Sequence, residues 1–123
     1  MRLDKLVKAT IAALEDIKGR DIVVLDVRKM TSLFDKMVIA TADSSRQASS
    51  LARNVQEKLK ALGATIQGVE GEQAGEWILV DIGAVIVHIM QPAIRQHYNL
   101  EELWTPTRAP RRRTRALTET TAQ

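Results

Sequence analysis

Apolar residues recur at three- and four-residue steps along the first stretch of the chain. Leu3, Leu6, Val7, Thr10, Ile11, Leu14 and Ile17 form one helical stripe, which Gly19 ends. Asp21 to Val27 (DIVVLDV) is short and β-branched, as a buried strand requires, and Lys36 to Thr41 (KMVIAT) reads as a second strand. Asp43 and Ser44 offer N-cap oxygens to a second helix with Ala48, Leu51, Ala52, Val55, Leu59 and Leu62 on its apolar face. Gly63 stops that helix, and Thr65 to Val69 is a weaker third strand. Glu76 to Ile82 and Val85 to Met90 are the fourth and fifth strands, joined by a turn at Gly83-Ala84. Pro92 fits the first turn of a short helix, Asn99 can break it, and Leu100 to Trp104 add one more turn. The order α-β-β-α-β-β-β-α predicts an α/β (α+β) fold: a single mixed sheet of about five strands covered by helices.

Composition narrows the class. A chain of 123 residues fits one domain and can bury roughly two-thirds of its unfolded surface, enough for a core without covalent staples. It has no cysteine, so disulfide and thiolate chemistry are excluded. No apolar run approaches the ~20 residues of a membrane span, and the charged, interrupted start MRLDKLVKAT lacks the apolar centre of a signal peptide. A cytoplasmic protein is the expectation.

The net charge of +3 is unevenly placed. Residues 105–123 hold Arg108, Arg111, Arg112, Arg113 and Arg115 against a single acid, Glu119, and so carry +4, which leaves the body at −1. With two prolines and little aliphatic content, this segment reads as a disordered basic tail following a domain at 1–104.

Familiar catalytic patterns are missing. His88 and His97 are nine residues apart, with neither HxxxH nor HExxH spacing, so no metal site is expected. Ser44 lacks a G-x-S-x-G elbow and is better explained as a helix cap. Ser44, Arg46 and Gln47 could present a helix terminus to an anion, although no G-x-G precedes them. Two-metal phosphoryl transfer needs converging carboxylates. After Asp26 the chain places Arg28, a cation where a D-x-D pair needs its second acid. No catalytic residue and no cofactor is assigned.

Four ordered motifs then carry a resemblance: DIVVLDVR, DKMVIATADSSRQ, GVEG followed by GEWILVDIGAVIVHIM, and R-x-x-Y-x-LEELW. Together, from about Leu3 to Trp104, they resemble the ribosomal silencing factor, or iojap-related, family. The resemblance implies a nucleotidyltransferase-like scaffold without its catalytic carboxylates. It also implies a non-enzymatic role: binding the large ribosomal subunit through its fourteenth protein on the intersubunit face, blocking association with the small subunit and repressing translation under nutrient limitation. Two positions depart from the family pattern, Ala84 where an acid is common and Ala42 where glycine is expected.

Strand alternation sends Trp77, Leu79 and Asp81 to one face and Ile78, Val80 and Ile82 to the other, and pairs Ile86 with His88. The aliphatic-only set suits the core. Trp77, Leu79, Asp81 and His88 therefore form the expected partner-binding face, with acids Glu70, Glu76 and Asp81 suited to a basic ribosomal protein. Arg95 and Tyr98, which match the family motifs, join that set, whereas Trp104 is expected to close the core. The tail arginines are expected near ribosomal RNA. The alternatives are a nucleotidyltransferase-like enzyme and a homodimeric adaptor.

Overall fold

A computed structural model describes residues 2–105. The expected arginine contacts at 108–115 lie outside the described residues. Helix α1 (Leu3–Asp16) is followed by strands β1 (Arg20–Asp26) and β2 (Lys36–Thr41), helix α2 (Ser45–Ala61), and strands β3 (Gly68–Glu70), β4 (Trp77–Asp81) and β5 (Val85–Met90). Two short helices, α3 (Pro92–Tyr98) and α4 (Leu100–Leu103), end the described chain. The strands form one five-stranded sheet in the order β1-β2-β5-β4-β3. Only β2 and β5 pair in parallel; the other neighbours are antiparallel. The expected mixed sheet is present.

Both faces of the sheet are covered, each for a reason legible in the residues. On one face Val38, Ala40, Ile78, Val80, Val87 and Ile89 meet the apolar stripes of α1 and α2, including Leu14, Leu51, Val55 and Leu59. These side chains pack between strands and helices, and Leu51 is fully buried among them, so truncating it to Ala should cost roughly 2–5 kcal/mol. On the other face Met37, Ile39 and Met90 join Val27 and Leu100 in a second cluster, with Phe34, Trp77, Ile94 and Trp104 packed against it. Strand β5 is buried along its whole length because it is central and covered on both sides.

Two elements differ from the sequence reading. The third strand starts at Gly68 rather than Thr65, because only Gly68 to Glu70 find ladder partners on β4 (Asp81, Val80 and Leu79). Strand β1, read as a buried strand, is an edge strand with no fully buried residue, because only β2 pairs with it. Asn99 breaks the last helical segment as expected, its left-handed φ of 45° turning the chain between α3 and α4.

The ends of the two long helices are tied through one side chain. Ser44 caps α2, its Oγ accepting from the Gln47 N–H at 3.0 Å. Gln47 Oε1 accepts from the Asp43 N–H at 2.7 Å, and its Nε2 donates to the carbonyls of Ile17 and Lys18 at 3.0 Å each. The capping pattern thereby also docks the C-terminus of α1.

Candidate docking face

Register places the expected partner-binding residues in adjoining cross-strand rows. His88 of β5 stands between Ile39 of β2 and Leu79 of β4, and Leu79 in turn faces Glu70 of β3. One row along, Trp77 is opposite Met90; on the other side, Asp81 is opposite Ile86. Trp77, Leu79, Asp81, His88 and Glu70 therefore share one surface of the sheet.

Exposure grades across that surface. Glu70 is exposed, Trp77, Leu79 and Asp81 are half-buried, and His88 is only 6% exposed. His88 thus works beneath the surface rather than on it. The Trp77 Nε1–H donates to His88 Nδ1 at 2.9 Å. An indole nitrogen can only donate, so Nδ1 must be unprotonated and the imidazole proton sits on Nε2. Burial disfavours the charged ring and pushes its pKa down to about 4. His88 is consequently a neutral acceptor that fixes the orientation of the indole.

The Trp77 ring also packs against Tyr98, with ring centroids 4.9 Å apart and tilted. Tyr98 meets His97 edge-on at 4.8 Å and remains 48% exposed. Three elements, β4, β5 and α3, therefore build one aromatic ledge, half buried and half open.

Arg95 has a different setting from the others. Its Nη1 donates to Thr41 Oγ1 at 2.7 Å, and its Nη2 and Nε reach Glu101 at 3.0 and 3.4 Å. Its side chain is 11% exposed. It therefore clasps α3 to β2 and α4 and fixes the helix that carries Tyr98. None of the α3 residues is fully buried, so the clasp acts together with the packing of Ile94 on the second cluster to place α3. A lone arginine in a sequence gives no sign of such a partner set; only the six-residue spacing to Glu101 hints at it.

Asp81 Oδ1 accepts from the Gly83 N–H at 2.8 Å and stiffens the β4–β5 turn. The Ala84 carbonyl in that turn accepts from both the Asp35 and Lys36 N–H groups, at 2.8 and 3.1 Å. The position is thus structural through its backbone, whatever side chain it carries. Ala42 is fully buried and keeps an ordinary backbone. Trp104 lies on Phe34, centroids 5.6 Å apart, against the second core cluster. Phe34 was not singled out by its sequence context, because an isolated aromatic in a loop has no periodic neighbours.

The remaining candidate chemistry is occupied by internal pairs. Asp26 accepts from the Arg28 guanidinium at 2.5 and 3.0 Å and from the Arg28 N–H at 3.1 Å, with Lys36 at 3.3 Å. The Arg28 hydrogen bond holds its carboxyl well below the usual carboxylate range. Asp43 pairs with Arg20, which likewise keeps it ionised. Gln47 is fully engaged with the α1 terminus, so the Ser44-Arg46-Gln47 group is a helix junction.

The family described as "ribosomal silencing factor during starvation" matches residues 1–123. The ribosomal silencing factor of Chromobacterium violaceum is 54% identical over 104 residues, covering 85% of each chain. That of Haemophilus influenzae is 46% identical over 99 residues, 80% of this chain and 97% of the relative. A crystal structure of a Chromobacterium violaceum protein, 51% identical, superposes with a TM-score of 0.84 over 89% of this chain and 92% of that one.

Proposed function

The chain belongs to the ribosomal silencing factor family, and on that premise we propose that it docks on the large ribosomal subunit and keeps the small subunit away. The partner is the fourteenth large-subunit protein, on the intersubunit face. The outcome is repressed translation under nutrient limitation, by occlusion in the cytoplasm and without catalysis.

The observation that carries this reading is the aromatic ledge. Trp77 is held by His88 and Tyr98, yet it stays partly open beside Leu79, Asp81 and Glu70. Interfaces draw most of their energy from a few rigid aromatic anchors ringed by polar groups. A preorganised tryptophan costs little entropy to bind, and the neighbouring acids complement a basic protein surface. Occlusion asks only for a surface of about 800 Å² per partner, which a domain this size can supply.

Arg95 belongs to the site as the clasp behind Tyr98. The arginines at 108, 111, 112, 113 and 115 contribute a separate, salt-sensitive attraction to ribosomal RNA.

Co-sedimentation with purified large subunits on sucrose gradients tests the proposal. The wild-type protein should travel with the large subunit and reduce its joining to the small subunit. Trp77→Ala and Tyr98→Asp should each lose that association while keeping a cooperative thermal transition. Undiminished co-sedimentation of both variants would refute the assigned face.

A further inference from the structure

Beside Asp81 the docking face runs into a groove of about 410 Å³, lined by Leu33, Phe34, Gln67, Asp81, Gly83 and Ile86. Leu33 projects from the β1–β2 loop and is 82% exposed, the largest exposure among the big apolar side chains of the described residues. A single exposed leucine is ordinary. This one is different because the chain displays it rigidly.

Several bonds hold the loop. The Val27 N–H donates to the Asp35 carbonyl at 3.0 Å, closing the loop at its base, and Val27 is fully buried beneath it. The Leu33 N–H donates to Thr31 Oγ1 at 3.1 Å. The Asp35 and Lys36 N–H groups both donate to the Ala84 carbonyl, which pins the loop to the β4–β5 turn. Phe34 rests on Trp104. The two walls of the groove are therefore fixed to each other, and Leu33 is held out over an apolar floor of Phe34 and Ile86.

The rim is acidic. Asp81 contributes to the groove and to the docking face alike, and its Oδ1 bond to Gly83 engages one oxygen only. A groove with an aliphatic lip, an aromatic and aliphatic floor and a carboxylate at its edge fits a basic protein surface that inserts an apolar side chain flanked by lysine or arginine.

We infer that this groove is the second half of the docking surface, with Leu33 as a binding anchor for the same basic large-subunit protein that covers Trp77. The inference rests on the proposed function and extends it across Asp81, the residue shared by both parts. Anchors of this kind, when exchanged for a charge, typically cost about 10-fold or more in affinity. The groove also explains why so exposed a leucine sits on a loop with so many backbone ties.

The test uses the full chain and purified large subunits, with affinity read from a co-sedimentation titration. Leu33→Asp should bind at least about 10-fold more weakly, with a melting temperature near wild type because the side chain is 82% exposed. Leu62→Asp, a comparable change at the far end of α2 where Leu62 is 47% exposed, should bind as wild type does. If Trp77→Ala weakens binding and Leu33→Asp does not, the groove plays no part and the inference falls while the docking face stands. If neither weakens binding, the functional reading itself falls. A wild-type dimer in sedimentation equilibrium that Leu33→Asp dissociates would make the groove a self-interface and overturn the inference as well.

Discussion

The buried imidazole of His88 makes stability fall with acid in a pH range where most other groups are silent. In the unfolded chain a histidine titrates near pH 6.5, whereas in the fold His88 is pushed down to about 4 by burial. The folded pKa is depressed, and for a base the neutral form is the one that folds. Between these two values the unfolded state binds more protons. The His88 contribution is therefore fully present above pH 6.5, falls as the pH drops toward 4, and is lost below it. Two and a half pH units correspond to a total loss of about 3 kcal/mol, of which about 2 kcal/mol has gone by pH 5. Carboxylates paired in the native state, such as Asp26 and Asp43, have depressed pKa values and lose their contribution at lower pH, mostly below 5. Urea unfolding at pH 7 and pH 5 should thus show the wild-type midpoint shifting by roughly 1–2 M, given a urea slope of 1–2 kcal/mol/M for a domain of this size. The comparison is with His88→Asn, which places an acceptor oxygen where Nδ1 receives the Trp77 N–H but cannot titrate. Its stability at pH 7 will be lower, since a ring is lost, but its change between pH 7 and 5 should be nearly flat. Parallel acid losses in the two proteins would show that His88 is not the group whose protonation drives the loss.

Other substitutions probe the supports of the face. Arg95→Leu leaves Thr41 and Glu101 without their shared donor and should cost about 2 kcal/mol in chemical denaturation, and Arg95→Lys should recover only part of it because an ammonium cannot span both partners. Gly71→Ala should cost more than about 2 kcal/mol, since Gly71 has a φ of 87° and an added Cβ would meet the Trp77 carbonyl at 2.0 Å; a thermal melt within a degree or two of wild type would contradict that geometry. Gln47→Ala removes the tie between α1 and α2 and should destabilise by about 1–2 kcal/mol, measured by hydrogen exchange at the α1 C-terminus as well as by urea. Removing residues 108–123 should flatten the salt dependence of large-subunit binding by a slope of roughly 3.5–4.5, five arginines at about 0.7–0.9 counterions each; an unchanged slope would mean that the tail does not meet RNA.

Much of the fold could be read from periodicity because the apolar pattern is strong where burial is strong. The stripes of α1 and α2 and the alternation in β4 each correspond to a packed face, and the unbroken apolar run of β5 to burial on both sides, so sequence and structure agree there. Strand β3 was harder, since three residues at a sheet edge are fixed by their partner on β4 rather than by their own composition. Which residues share the Trp77 surface of the sheet was legible for the same reason as the core: a strand has only two sides. Its depth was not. Alternation assigns His88 to the side of Trp77 but does not reveal that α3, more distant along the chain, folds over that side and carries Tyr98 onto the indole. The internal roles of Arg95 and Gln47 are likewise set by tertiary partners many residues away, which no local pattern announces.

That depth bears on how such a face would bind. A tryptophan fully exposed on a sheet would have to lose rotamer freedom when a partner arrived, whereas Trp77 has already lost it on folding, to His88 and Tyr98. The half-burial that removes area from the interface thus also lowers the entropic penalty of forming it. The two effects can be separated. Replacing Tyr98 with Phe keeps the ring contact on Trp77 and should leave affinity within a few-fold, while Tyr98→Ala removes one wall and should weaken binding through a looser indole. If preorganisation is the larger effect, Tyr98→Ala will raise the dissociation constant together with the mobility of the Trp77 indole in fluorescence anisotropy, in proportion. A loss of affinity with an unchanged indole would instead assign Tyr98 to direct contact, and the value of the stack would lie in its exposed edge.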